Sequence, residues 1–243
     1  MTEVRHREAR LGHNVALASI GGRAAGVAHE IGNPVTAIAC LAQNLDSETD
    51  AEEQLESSQQ ILEQTRRITR IVESLVTFSH SGGIKHSQHV PVNIRDTVDE
   101  AISLLLLDPD HRQQPFTNQC EPEHWVQGDP QRLLQVFINL LGNAADASAD
   151  KQPVTVRCES ADEVLDVIVE DQGHGIPDEL RDALFEPFVT SKPPGRGTGL
   201  GLALVYSIIE EHLGAIRVES PITDQGGTRF IIRLPMHAPT SGV

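Results

Sequence analysis

No stretch of this 243-residue sequence comes near the run of about 18 apolar residues that a membrane-spanning helix needs. Nothing ahead of the first helical pattern has the layout of a secretory signal. Cysteine is sparse: Cys40, Cys120 and Cys158 lie far apart with no metal-ligand spacing, and they read as small buried residues in a reducing compartment. The 11 histidines include no HxxxH pair, and His80, His86 and His89 fall in a Ser/Gly-containing stretch that reads as a solvated linker. Positive charge is also short. Lys and Arg number 19 against 35 Asp and Glu, a net charge of -16, which speaks against nucleic acid and anionic membrane surfaces as partners. No internal repeat or low-complexity tract occurs. The length leaves room for one large domain or two small ones.

Against those absences stands the segment Ala28–Pro34, AHEIGNP. Around it the apolar residues Leu17, Ile20, Ala24, Val27, Ile31, Pro34, Ile38, Leu41 and Leu45 alternate steps of three and four, the mark of a heptad seam. With Leu17 at position a, His29 falls at f, facing away from the seam. Asn33, four residues on, shares that outward face, and Glu30 flanks it. Pro34 removes the hydrogen bond to the Glu30 carbonyl and costs roughly 3 kcal/mol in a helix interior. A sequence that keeps such a residue beside an exposed His-Glu-x-x-Asn face is shaping a site.

The first helix is predicted from near His13 to about Leu45, with a polar turn over 46–53. A second helix carries Ile61, Ile68, Ile71, Leu75 and Phe78, its stripe widened by Leu62, Val72 and Val76. That apolar face exceeds what a two-helix hairpin can bury. Two hairpins forming a four-helix bundle would bury it, so a homodimer is expected. Traced backwards, the seam meets Glu3, His6, Arg10 and His13, so the first residues either fray or belong to an upstream element.

Ser81-Gly82-Gly83 ends the second helix, and from about Pro91 the pattern becomes mixed α and β. Val98, Ala101, Ile102 and Leu105 suit a helix. Asp129-Pro130 opens another, with Asp as N-cap and Pro in the first turn ahead of Leu133, Leu134, Phe137, Ile138 and Leu141. Val154, Val156 and Cys158 alternate as a strand, and 164–169 forms a second, more buried one. Leu200 to Leu213 reads as a helix ended by Gly214 acting as a left-handed C-cap. Ile216 to Val218 and Arg229 to Leu234 form a final strand pair. The order is that of an α+β fold with its strands clustered late.

Chemistry-bearing residues recur in this half. Asn139 and Asn143 share a helix face, and their amide oxygens suit a hard divalent ion such as Mg²⁺ that also recruits phosphate oxygens; taken alone they are equally well two surface asparagines. Asp171-Gln172-Gly173-His174-Gly175 follows a buried strand. Its glycines let backbone approach a ligand, and its aspartate can accept from the exocyclic amine that adenine has and guanine lacks at that position. Gly195 to Gly201 enters a helix with four glycines, a phosphate-binding arrangement that taken alone is also a flexible turn. No Lys-Ser/Thr pair follows, so it is not a Walker loop, and no strand leads into it, so it is not a Rossmann fingerprint. Gly226-Gly227-Thr228 alone reads as a hairpin turn.

Taken in order, AHEIGNP, NLLGNAADA, DQGHGIP, FEPFVTSK, GRGTGLGL and GGTRF resemble the sensor histidine kinases of two-component systems over residues 14–236. The resemblance implies an all-α helical hairpin forming a dimeric four-helix bundle, followed by an α+β sandwich, the Bergerat ATP-binding fold. Its divisions are an upstream extension or frayed end (1–13), the dimerisation and phosphotransfer hairpin (14–81), a linker (82–90), the ATP-binding domain (91–236) and a flexible tail (237–243). His29 corresponds to the phosphoacceptor. Glu30 corresponds to the base that holds the imidazole by Nδ1–H, and Asn33 to the residue that positions a water during dephosphorylation of the partner. Asn143, with Asn139 nearby, matches the Mg²⁺ position, and Asp171 the adenine-reading acid with Gly173 and Gly175 beside the base. Residues 185–192, including Lys192, with Arg196, Gly197, Thr198, Gly199, Leu200 and Gly201, would form a lid over the phosphates. Thr228 would help hold the aspartate and a water. The implied cofactors are ATP and Mg²⁺. The implied partners are a second copy of the chain and a response-regulator receiver domain, not nucleic acid. The implied setting is cytoplasmic, free or as the cytoplasmic portion of a membrane-bound sensor whose sensing module is missing here.

One departure stands out. Many family members have Lys and an aromatic residue just after the asparagine helix, where this chain has Ala145-Asp146-Ala147-Ser148. The remaining cations for the phosphates are Lys192 and Arg196. Two other readings compete: an inactive ATP-binding scaffold, which no missing motif supports, and a gyrase- or chaperone-like ATPase, which has no use for an exposed histidine on a heptad helix.

Overall fold

The structure, a computed structural model, describes residues 31–45, 50–81, 89–148, 152–193 and 197–237. The chain divides into two units, Met1–Gly83 with Phe188–Leu200, and Ile84–Pro187 with Gly201–Val243.

In the first unit, residues 31–45 form helix α1 and Ala51–Ser81 form α2. The seam expected along α1 is visible in its burial. Pro34 is buried, Ile31, Ile38, Leu41 and Leu45 are half-buried, and Asn33 is exposed. Cys40 is exposed too, against the expectation that all three cysteines are buried, because it lies off the seam. The start of α2 is set by Asp50, whose Oδ1 accepts from the Glu52 N–H at 2.9 Å. Glu52 and Glu53 then place negative charge at the positive end of the helix dipole. Ile71 is buried, yet Leu55 and Leu62 remain 59% and 56% exposed.

The second unit opens with strand β1 (Val90–Asn93), which runs into helix α3 (Ile94–Leu105). Strands β2 (Phe116–Asn118) and β3 (Trp125–Gly128) precede helix α4 (Pro130–Ala147). Strands β4 (Val154–Ala161) and β5 (Val164–Asp171) lead to the one-turn helix α5 (Asp178–Arg181) and to helix α6 (Gly201–Glu211). Strands β6 (Ala215–Glu219) and β7 (Thr228–Pro235) close the order. The main sheet runs β2-β4-β5-β7-β6, with β2 parallel to β4 and the other pairs antiparallel; β1 and β3 form a separate antiparallel ribbon. The α+β class is as expected. The ribbon and β2 are additions to it, since strands of three or four residues carry too little alternation to stand out.

Residues from α3, α4 and α6 meet Val154, Val156, Leu165, Val167, Val169, Phe230, Ile232 and Leu234 of the sheet in one core. On the other side of the sheet Ile168 pairs with Ile231, both nearly buried among charged neighbours. There Arg229 bridges Glu170 and Glu219, and Arg233 forks onto Asp166, holding that carboxyl below its ordinary range. Long charged side chains lying along an open sheet cover apolar atoms with their stems.

The start of α4 is as anticipated: Asp129 accepts from the Gln131 and Arg132 N–H groups, and Pro130 occupies the first turn. The expected C-cap of α6 needs correction. Leu213, not Gly214, takes the left-handed conformation, at φ 56°. The Gly214 N–H donates to the Ile209 carbonyl and the Leu213 N–H to the Glu210 carbonyl, a Schellman motif with Leu213 at its left-handed position. Gly214 is needed one step later, where a side chain would run into the Arg233 carbonyl of β7.

The two helix ends at this edge are pinned together. The Asp129 N–H donates to His212 Nε2 at 3.0 Å, His212 Nδ1 faces the Ile208 carbonyl at 2.7 Å, and Arg132 pairs with Glu211. A ring nitrogen that accepts at one side must donate at the other, so His212 is neutral with its proton on Nδ1. Burial lowers its pKa accordingly. The His89 ring stacks on it at 5.0 Å.

Candidate active site

β5 delivers Asp171 as its last residue, on the inward face that also carries Leu165, Val167 and Val169. A carboxylate here is costly, since Asp171 is only 3% exposed. Burial pushes its pKa up, opposed by the backbone N–H groups of Gly173 and Thr228. The Gly173 N–H donates to Asp171 Oδ1 at 2.9 Å. Antiparallel register puts Thr228, the first residue of β7, directly opposite Asp171, and it is equally buried. The pair therefore stands at one end of the two central strands.

The loop after Asp171 and the turn before Thr228 fit together through missing side chains. A Cβ on Gly173 would collide with the Ala147 carbonyl at the end of α4, and one on Gly226 would come within 2.6 Å of the Gly173 carbonyl. The Gly227 N–H donates to that same carbonyl at 2.7 Å. Gly226 and Gly227 also hold φ of 120° and 86°, open only to glycine at little cost. Gly226-Gly227-Thr228 is thus a turn, as its simplest reading has it, and also the seat of the Asp171 loop.

α4 carries Asn139 and Asn143 on one face, both half-buried. Asn139 Oδ1 would lie 3.3 Å from a Cβ on Gly201, so the first residue of α6 abuts this amide. Asn139 Nδ2 is buried with no hydrogen-bond partner among the described residues. A buried amide left half-satisfied is a costly feature unless a ligand completes it. Hard divalent ions take oxygen donors and keep several waters. The unpartnered Asn139 Nδ2 is a donor that suits a phosphate oxygen, and the amide oxygens of Asn139 and Asn143 are the atom type a hard divalent ion takes.

The structure therefore brings Asp171, Gly173 and Thr228 together, closes Gly175 against Ser220, and sets Asn139 against Gly201. Segment 188–200 has its own internal order. The Phe188 N–H donates to the Gly199 carbonyl at 2.8 Å, and Thr190 Oγ1 accepts from the Lys192 N–H at 3.1 Å. Thr198 Oγ1 accepts from the Leu200 N–H at 3.4 Å, Leu200 is buried, Gly197 lies against Thr190 and Lys192, and Lys192 is half-buried. His29, Glu30 and Arg196 lie outside the described residues.

Two participants escaped the sequence reading. Ala147 matters through its backbone carbonyl, for which no side-chain signal exists. Ser220 joins the two loops, and its only trace in sequence is Ser-Pro between two strands, a common turn opening.

Comparison with known proteins adds independent findings. A family model described as "Histidine kinase-, DNA gyrase B-, and HSP90-like ATPase" matches residues 128–238, and one described as "His Kinase A (phospho-acceptor) domain" matches residues 21–83. The chain is 37% identical over 226 residues to the sensor histidine kinase ZraS of Salmonella typhi, covering 91% of this chain and 47% of that protein. It is 36% identical over 238 residues to the sensory histidine kinase/phosphatase NtrB of Rhodobacter capsulatus, covering 88% of this chain and 62% of that protein. It therefore spans about half the length of the ZraS relative. Among solved structures, a mycobacterial sensor histidine kinase, MprB, matches at 33% identity and TM-score 0.56, over 61% of this chain and 98% of that one. Histidine kinase ThkA, solved in complex with the response regulator protein TrrA, matches at 27% identity and TM-score 0.78, over 98% of this chain and 68% of that one.

Proposed function

The chain belongs to the sensor histidine kinases, and on that premise we propose that it is an ATP-dependent protein-histidine kinase that phosphorylates His29 and passes the phosphoryl group to an aspartate of a response regulator. The single observation that carries this reading is the buried acid at the end of β5. Asp171 is kept at a cost, offers only acceptor oxygens when ionised, and sits beside a loop whose glycines let it pack against α4 and the turn before β7.

In the proposed reaction the purine amine donates to Asp171, while Asn139 and Asn143 are the residues that would hold Mg²⁺. When bound, Mg²⁺ neutralises charge on the phosphate oxygens. Glu30 accepts from His29 Nδ1–H and leaves Nε2 as the nucleophile. A new bond forms between Nε2 and the γ-phosphorus as the bond to the β,γ-bridging oxygen breaks and ADP departs. The receiver carboxylate then takes the phosphoryl group from Nε2. Such transfers depend on positioning and charge neutralisation rather than on protein covalent chemistry. Asn33, exposed on α1, is the proposed residue that orients water for dephosphorylating the regulator. The reading also includes a homodimer through the hairpin (14–81), an ATP domain over 91–236 with 82–90 as linker, and a cytoplasmic setting. No helix among the described residues is long and apolar enough to cross a membrane.

Incubation with γ-labelled ATP should place acid-labile phosphate on the chain, and His29→Gln should remove it. Incorporation at the wild-type level in that variant would overturn the acceptor assignment. With no Lys after α4, phosphate contact falls to Lys192 and Arg196. Replacing both by alanine should raise the ATP KM at least about tenfold, the worth of one charge-assisted hydrogen bond. An unchanged KM would remove the lid from the account.

A further inference from the structure

Ser220 lies just after β6, outside every motif described above, and its side chain bonds to both loops around Asp171. Its Oγ accepts from the Ile176 N–H at 2.8 Å, on the Asp171 loop. The same oxygen faces the Gly227 carbonyl at 3.0 Å, on the turn before β7. It also stands 3.5 Å from Thr228 Oγ1. Ser220 is partly buried, and a Cβ on Gly175 would come within 3.0 Å of its oxygen, so the hydroxyl has little room to move.

A serine hydroxyl has one proton and two lone pairs. A carbonyl cannot donate, so the Ser220 proton is committed to Gly227. One lone pair is committed to the Ile176 N–H. Toward Thr228 the oxygen can offer only its second lone pair, and the hydroxyl pair, at the long end of hydrogen-bond distance, runs from Thr228 to Ser220. The Thr228 proton is thereby turned toward Ser220, leaving Thr228 Oγ1 with acceptor lone pairs on its other side. Asp171, directly opposite in the β5–β7 register, is also an acceptor when ionised. The wall formed by these two residues therefore accepts and does not donate.

We propose that Ser220 is a positioning residue that sets the base preference of this pocket, by holding Thr228 as an acceptor beside Asp171 so that the purine edge must present an amine rather than a carbonyl oxygen. The inference rests on the ATP-binding reading above. Adenine offers the amine and guanine offers O6 in its place. Without the Ser220 hydroxyl, the Thr228 O–H is released to rotate and donate, and guanine becomes tolerable.

The test uses the full chain and measures autophosphorylation with ATP and with GTP, beside thermal unfolding. Ser220→Ala is expected to raise the ATP KM about 3- to 10-fold, the worth of one neutral hydrogen bond. The kcat at saturating ATP should stay at the wild-type value, and the ATP-over-GTP preference in kcat/KM should shrink at least as much as the KM rises. A loss of kcat with preference intact would mark a merely structural residue and overturn the proposal. Thr228→Val combined with Ser220→Ala should add little to Thr228→Val alone, and additive effects would equally overturn it. Should Ser220→Ala unfold, Ser220→Cys keeps the side-chain shape, slightly enlarged, with a weaker donor and acceptor and must show the same loss of preference. Asp171→Asn separates the two levels. If it leaves ATP affinity unchanged, the nucleotide reading itself fails; if it abolishes affinity while Ser220→Ala changes nothing, only the role of Ser220 fails.

Discussion

In α4 the stripe of Leu133, Val136, Phe137, Leu140 and Leu141 is withdrawn completely from water, whereas in the helical unit Leu55, Leu62 and Val72 are 59%, 56% and 42% exposed and Val35 on α1 is 49% exposed. Both kinds of helix carry apolar stripes at helical spacing. The difference is that α4 has a sheet to lie on, whereas these side chains of α1 and α2 are not covered by the described residues. An amphipathic pattern thus states that a face will be covered and leaves open what covers it. In the α+β unit the cover is supplied within the chain; for the hairpin the proposed cover is a second hairpin.

The strongest way to break this contrast is to place charge on the uncovered stripe. Leu62→Glu with Val72→Glu should convert a dimer to monomer, with the dissociation constant rising more than about a hundredfold, since each buried side chain contributes roughly 1.5–3 kcal/mol. Sedimentation velocity would show it, and a profile matching the wild type would remove the dimer from the account.

A smaller effect concerns the self-sufficient unit, which nevertheless carries a deliberate defect. Burial raises the pKa of Asp171 in the folded chain above its unfolded value. The folded state then binds more protons, so the stability linked to this group is full below the unfolded pKa and is lost as pH rises through the folded one. Without nucleotide, Asp171→Asn should therefore gain in Tm over the wild type as pH rises from about 4 to 7, while nucleotide no longer raises its Tm. A constant Tm difference across that range would show that Asp171 carries no such cost.

The smallest effect sharpens the comparison from within the α+β unit. Leu213 is 85% exposed at φ 56°. Leu213→Gly should stabilise by about 0.5–1 kcal/mol, the left-handed penalty less the chain entropy of glycine. Thermal unfolding should show a gain of a few degrees that does not vary with protein concentration. A lowered Tm would mean that Leu213 is held by contacts rather than strained.

What was legible in sequence follows how local each cause is. Asp129-Pro130 announced the start of α4 because a capping side chain and a fixed φ act within one turn. β4, β5 and β7 were visible because alternation or a continuous apolar run is written along each strand. β1, β2 and β3 were missed because their pairing energy comes from partners elsewhere in the chain. The C-cap was placed one residue late because glycine at 214 answers a contact with β7, not a local φ. In the site, Asp171, Thr228 and the glycines could be named from their order, yet the reason for Gly173 is a carbonyl at Ala147, 26 residues earlier. Ser220 was illegible for the same reason, since all of its bonds are tertiary or cross a turn.

The pinning of α4 to α6 has a mechanical consequence. Asp129, His212, Arg132 and Glu211 tie the two helices at one end, while Asn139 meets Gly201 about 15 Å away, ten residues along α4 at roughly 1.5 Å per residue. Two helices tied at one end and meeting through a glycine at the other have the layout of tongs with a riveted base. A rotation of about 4° at the rivet opens or closes the tips by about 1 Å, with no bond broken in either helix. Because the residue at the α6 tip is a glycine, the Asn139 amide meets bare backbone there, and a side chain at 201 would wedge the tips apart.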